Sequence, residues 1–376
     1  MSHRRTGRVL DKAVNNMELP FLKKKARKSD HLIAIDLGSR ATKAVYLQRR
    51  GDGFDLAAYT ILDAPGVGER APSAELLGEH LKQVHQALGA STKQIILAVG
   101  VQECLLRHAE MPMIPIPELR TMLKFGSRNY LQEELQNYAF DCHLQAIQAP
   151  PNGAEVAKGK VNAAAMKQRV LVGGIKQQRL NDLTEAAKLA GLTLEAVVPG
   201  HIGPANALEL AENEAFANEV VAIVEVGFKN SCISILNCGE LVLNRVVSVG
   251  GDKLTNGLAE TLSISYEEAE GIKIGMPHEV QSTLETLLLP LGRELRASAD
   301  FFEHQNEKPV ARVLVSGGCA CSEFLAQTLQ NELMAPCSTW DPTKTFGRSL
   351  SAEQMAQFEP NVARLSVAIG AAATAF

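Results

Sequence analysis

The chain has 376 residues, long enough for two domains or one two-lobed body, and 46% hydrophobic with 21% charged residues is the profile of a soluble globular protein. A formal net charge of −4, a pI near 6.2, one Trp and five Tyr exclude a surface built wholly for nucleic acid or a stacking platform for single strands. No stretch reaches the ~20 uninterrupted apolar residues that a membrane-spanning helix needs.

Residues 1–30 break the overall balance. Arg4, Arg5, Arg8, Lys12, Lys23, Lys24, Lys25, Arg27 and Lys28 face only Asp11, Glu18 and Asp30 there, so the segment reads as a basic, disordered arm. No apolar region follows it in the manner of a secretory signal. FLKKKARK either rests against anionic headgroups or is a solvated tail. The seven cysteines lie scattered through apolar or strand-like segments, and their odd number suits reduced thiols in a cytoplasmic protein. Cys319 and Cys321 lack a second pair at zinc spacing and read as small residues beside a turn.

From 31 to 110 the pattern predicts an α/β lobe: strands HLIAIDLG, TKAVYLQR and FDLAAYTIL, a helix over Ala74–Leu88, then the strand QIILAVG. Pro112, Pro115 and Pro117 mark a linker, with Pro117 in the first turn of a helix. A small inserted subdomain is expected over 111–198. It holds the strand FDCHLQAI, an aperiodic loop over 149–167, the strand QRVLVGGI and the helix QQRLNDLTEAAKLAGL. A second lobe over 199–376, with a C-terminal return to the first lobe, repeats the opening strand–Gly turn–strand theme in EVVAIVEVGFKNSCISILNCGELVLNRVVSVGG, which points to an internal duplication. Ser265 and Glu268 form a capping box at a helix start, and the terminal LSVAIGAAATAF reads as an interior helix.

Four elements carry the chemistry, in chain order. Asp36 is delivered by an apolar run into a turn where Gly38 is expected to supply a positive φ, while Ser39, Thr42 and Lys43 supply donors. That is how an actin-like fold presents a carboxylate and donors to nucleotide phosphates; the same residues also read as a β-hairpin with a polar turn. Glu225-Val226-Gly227 occupies the matching place in the second lobe. Gly250-Gly251-Asp252, with Thr255, leads toward the Glu270/Lys273 pair, and Ser316-Gly317-Gly318 joins a strand to a helix. Each of the last three also reads as an ordinary turn or a solvated ion pair. Their recurrence at four matched positions favours a nucleotide cleft.

The pieces KKKARKSDHLIAIDLGSRATKAV, MPMIPIPELRTMLKFGSRNYLQEEL, GLTLEAVVPGHIGPANAL, VVSVGGDKLTNGLAETLSISYEEAEGIK and VLVSGGCACSEFLAQTLQNEL, with the closing VAIGAAATAF, resemble the PilM family of type IV pilus assembly proteins. The family is itself similar to the division protein FtsA. The resemblance runs from about residue 20 to the end, and GGDKLTNGLAETLSISYEEAEGIK is its most specific part.

The resemblance implies an α/β, actin-like two-lobed fold, made of duplicated ribonuclease H-like domains with a small inserted α+β subdomain. It implies ATP with magnesium between the lobes, and capture of the N-terminal peptide of a PilN-like bitopic inner-membrane protein in a groove between the first lobe and the insert. That places the protein in the cytoplasm at the inner-membrane face, within the pilus assembly machinery and without nucleic acid. The nucleotide positions carried over are Asp36, Gly38, Ser39, Thr42, Lys43, Glu225, Gly227, Gly250, Gly251, Glu270, Lys273, Gly317 and Gly318, with Asp36 meeting magnesium through water.

Two departures matter. Glu225 stands where the family usually has Asp, and Pro199-Gly200-His201 stands where the family usually has an acid. Gly200 offers nothing to orient an attacking water, which leaves His201 as a lone candidate. The expectation is a scaffold with weak or no ATP turnover. The rival readings are a sugar or small-molecule kinase on the same fold and an FtsA-like membrane-tethered filament protein.

Overall fold

A computed structural model describes residues 30–51, 53–66, 71–145, 167–319 and 323–375. The expected basic arm, apart from Asp30, and all but the last residue of the 149–167 loop lie outside the described residues, as does Cys321.

The first lobe grows from β1 (His31–Leu37), whose Leu32–Ile35 are fully buried because both faces of the strand are covered. It pairs antiparallel with β2 (Ala41–Arg50), which pairs antiparallel with β3 (Gly53–Asp63). On the other side β4 (Gln94–Val99) runs parallel to β1, and β8 (Thr193–Pro199) parallel to β4. The helix α1 (Ala74–Leu88) has the predicted bounds. Ser73 accepts from the Leu76 amide at 3.3 Å at its start, and Gly89 ends it at φ 57°. Its Leu77, Leu81, Val84 and Leu88 recur at helical spacing and pack in one core with Ile33, Ile35 and Leu97.

The insert has its own three-stranded sheet, in the order β5 (Cys104–Pro112), β7 (Lys167–Lys176), β6 (Tyr138–Leu144). Helices α2 (Ile116–Gly126) and α3 (Arg128–Leu131) close it over Met111, Leu119, Leu123 and Val172. Sheet membership redraws the expected limits of 111–198. The third sheet already begins at Cys104, whereas α4 (Gln177–Leu189) packs on α1 and β8 lies in the first sheet. A strand's sheet is fixed by its through-space neighbours, which the linker prolines do not report.

After α5 (Gly203–Ala211) and α6 (Asn213–Asn218), the second lobe repeats the first. Its β9 (Val220–Val226), β10 (Ser231–Asn237) and β11 (Glu240–Val247) form the antiparallel meander, while β12 (Arg312–Ser316) and β13 (Cys337–Thr339) add the parallel pair. The order β11-β10-β9-β12-β13 matches β3-β2-β1-β4-β8, so the duplication read from the two hairpins extends to whole sheets. Helices α7 (Gly251–Leu262), α8 (Tyr266–Gly275), α9 (Gln281–Asn306) and α10 (Glu323–Leu333) follow, and α8 carries the Ser265/Glu268 capping box.

The chain then returns to the first lobe. The short β14 (Gly347–Arg348) extends its sheet beside β3. After α11 (Ala352–Phe358), the wholly buried α12 (Ser366–Ala373) packs on α5 and β1. A Cβ on Gly370 would fall 1.6 Å from the Gly203 carbonyl oxygen, so α12 and α5 touch backbone to backbone. Among the described residues no helix is long and apolar enough to cross a membrane.

Candidate functional site

A cleft of about 500 Å³ opens between the two lobes at the carboxyl ends of β1 and β9. Asp36 and Lys43 are cross-strand partners on β1 and β2, and Lys43 Nζ donates to Asp36 Oδ2 at 2.7 Å. Both side chains are buried, at 9% and 11% exposure, which makes this pair costly to break from either side. Thr42 points to the opposite face of β2, where its hydroxyl meets His80 Nε2 of α1 at 2.8 Å and pins the helix to the strand. Gly38 is required for space rather than for a positive φ: a Cβ there would lie 2.5 Å from the Ala41 carbonyl oxygen. Ser39 and Arg40 stand exposed at the rim, Arg40 with its guanidinium carbon 5.2 Å from the ring centre of Phe228 in the opposing loop.

In the second lobe Glu225 ends β9 beside this pair. Its Oε2 accepts from Ser316 Oγ at 2.5 Å and from Ser366 Oγ at 2.9 Å. Burial pushes its carboxyl up to about 7, against the opposing pull of those hydroxyls and of Lys43; Asp36 adds to the rise. Gly227 closes a tight turn, its amide donating to the Asn230 carbonyl at 3.1 Å. The carbonyls of Gly227 and Phe228 in turn accept from the Gly251 and Asp252 amides at 3.0 and 2.9 Å. The loop therefore caps the N-terminus of α7, and those two amides are already used.

Glu270 and Lys273 meet at 2.6 Å on one face of α8, and Lys273 also donates to Thr255 Oγ1 at 2.6 Å and to the Gly251 carbonyl at 3.2 Å. Burial alone would raise the Glu270 carboxyl, but the bonds from Lys273 and Thr255 and the charges of Lys273 and Arg40 hold it below its ordinary range. The pair thus ties α8 to the first turns of α7 and is not a solvated surface contact.

Of the expected site residues, all but Gly250 and Gly317 line the cleft. Gly250 lies beneath it, where a Cβ would strike the Phe228 carbonyl oxygen at 2.4 Å. Gly317 has φ 101° and packs against the Val226 carbonyl oxygen. Gly318 and Gly100 are different: nothing lies within 4 Å of a Cβ at either, so both leave open space along the wall.

At the position where the resemblance calls for an acid, a Cβ on Gly200 would sit 2.9 Å from the Val99 carbonyl oxygen, leaving no room for a carboxylate without a backbone shift. His201 is 5% exposed, lies 3.4 Å through Nδ1 from the Cys104 thiol, and is driven down to about 4 by burial and then by Arg107. It is a neutral wall residue at pH 7. Nearby, Arg179 and Glu103 form a two-bonded pair at 3.2 and 3.0 Å.

Two residues of the cleft and one behind it have no spacing signal in the sequence. Ser366 lies 141 residues from Glu225. Arg364 enters from the turn before α12, and Phe228 was legible only as part of a Gly turn. Together the cleft gathers Lys43, Lys273 and Ser39 with bare backbone between, and an anion there would compete with Asp36 and Glu270 for the two lysines. Among the described residues no group of three or more His, Cys, Asp or Glu side chains could hold a metal ion.

A family model described as type IV pilus assembly protein PilM matches residues 34–376. Among solved structures the chain is similar to one titled PilM-PilN type IV pilus biogenesis complex, at 19% identity over 93% of this chain and 99% of that one, with TM-score 0.76. It is also similar to the ethanolamine utilization protein EutJ from Carboxydothermus hydrogenoformans, at 14% identity over 93% and 92% of the two chains, with TM-score 0.52. These likenesses establish the two-lobed actin-like fold.

Proposed function

The chain belongs to the PilM family of type IV pilus assembly proteins, and we propose that within that role it is a nucleotide-binding cytoplasmic scaffold with weak or no turnover. The observation that carries the reading is the placement of Lys43 and Lys273 in one cleft from opposite lobes, with Gly200 where water would have to be oriented.

The donor set fits a nucleotide. Ser39, Lys43 and the Gly227 turn would face the phosphates; Glu270, Lys273 and the open backbone at Gly318 would face the nucleoside. Asp36 would meet, through water, a magnesium ion carried in with the phosphates. ATP bound there would supply negative charge between the lobes. Lys43 would hold the phosphate oxygens in competition with its partner Asp36, while Lys273, paired with Glu270, would stand at the nucleoside end. Glu225, held by two serines and partly protonated near pH 7, is a poor magnesium ligand.

The partner reading is a short N-terminal peptide of a PilN-like bitopic protein, held in a groove between the first lobe and the insert. Docking of this kind places the protein at the cytoplasmic face of the inner membrane. The PilM-PilN complex of the similar structure supports that partner class.

Two measurements test the reading. Pull-down with N-terminal peptides of candidate bitopic proteins is expected to capture one, and equilibrium titration is expected to show ATP binding with negligible phosphate release. Appreciable magnesium-dependent release that Asp36→Ala abolishes would overturn the scaffold reading, and failure of every peptide alongside tight binding of a metabolite would favour a kinase.

A further inference from the structure

The two glycine loops touch at the rim of the cleft through side chains that neither loop needs for its own turn. Arg40 belongs to the β1–β2 loop of the first lobe and Phe228 to the β9–β10 loop of the second, and the Arg40 guanidinium carbon lies 5.2 Å from the Phe228 ring centre. Lys229 Nζ lies 5.3 Å from the same ring centre. A cation over an aromatic face is attracted to its negative quadrupole, and a guanidinium, weakly hydrated and planar, gives up little to be there.

The two sides are held differently. Phe228 is presented by a fixed loop: its carbonyl accepts from the Asp252 amide at 2.9 Å, Gly227 accepts from the Gly251 amide at 3.0 Å, and Lys229 is ion-paired with Asp252 at 2.8 Å. Arg40 instead sits on the exposed tip of its loop, next to Ser39, with a long side chain that can swing. Ser39, Arg40 and Phe228 all line the cleft, outside the buried Asp36–Lys43 pair.

We infer that Arg40 and Phe228 form a clasp across the phosphate end of the cleft and set the rate at which bound nucleotide leaves. This rests on the nucleotide reading above and adds to it the residues that govern retention. Lys229 lies against the same ring while paired with Asp252 of its own lobe, which offsets its charge toward Arg40. Phe228 acts without a charge of its own, so its loss separates clasping from simple attraction of phosphate.

The experiment uses the full chain and a fluorescent ATP analogue in stopped flow, with hydrogen exchange of the loops around residues 38–41 and 227–230 in nucleotide-free protein. Phe228→Ala and Arg40→Ala are each expected to speed release about fivefold with little change in association, Arg40→Lys to keep part of the retention, and each alanine variant to raise exchange in the opposite loop. Release within about twofold of the parent, together with unchanged exchange, would overturn the clasp. Should the parent bind no nucleotide, the nucleotide reading fails by itself. The exchange measurement then still decides whether the two loops hold one another.

Discussion

Lys43 stands directly across the β1–β2 ladder from Asp36 and donates to it at 2.7 Å, so the first carboxylate of the cleft carries its own counter-charge. The pair lies out of water, where each member needs the other.

Removing one partner should therefore be expensive. Lys43→Met is expected to lower stability by about 3 kcal/mol in urea titration, because it leaves a buried carboxylate uncompensated. The double variant Asp36→Asn/Lys43→Met should recover most of that loss while binding no nucleotide. Equal destabilisation of the single and double variants would show that the ion pair is not what holds this corner.

Glu225 makes stability depend on pH. Its carboxyl is raised from 4.5 to about 7 by burial, so between those values the folded state binds more protons than the unfolded one, and stability falls as pH rises. The contribution is full below about pH 4.5 and lost as the group ionises through about 7. Glu225→Gln should flatten this slope and exceed the parent in stability at pH 8, by an amount on the order of 3 kcal/mol. Melting curves at pH 5, 6.5 and 8 compare the two.

The glycines separate into packing and cleft positions. Gly370→Ala drives a methyl into the Gly203 carbonyl and is expected to cost more than about 4 kcal/mol or to prevent folding. Gly318→Ala has open space around its Cβ and should fold like the parent, while its methyl intrudes on the ligand's wall and weakens nucleotide binding. Thermal melting and nucleotide titration of the two variants test the contrast, and weak folding of Gly318→Ala would contradict it.

The fold was legible where its causes are local. An apolar run into a Gly turn, repeated in the second lobe, announces paired meanders; α1 has its Ser73 start and Gly89 stop written within one helix; Ser265 and Glu268 are three residues apart. The position of β5 was less legible, since the prolines after it resembled a boundary and its partner β7 begins at Lys167.

The sequence by itself determined the two-lobed duplication, the family and many, though not all, of the residues that gather around the cleft, because periodicity, turn chemistry and short motifs act over a few residues. Only the tertiary structure decided how those residues spend their bonding capacity. Lys43 neutralises Asp36, Thr42 serves His80, the first amides of α7 cap the Gly227–Phe228 turn, and Glu225 is buried under serines from β12 and α12. Charge pairing, desolvation and backbone contact depend on distance through space. Between Glu225 and Ser366, or Gly203 and Gly370, that distance is set by the packing of whole elements and leaves no trace in local spacing.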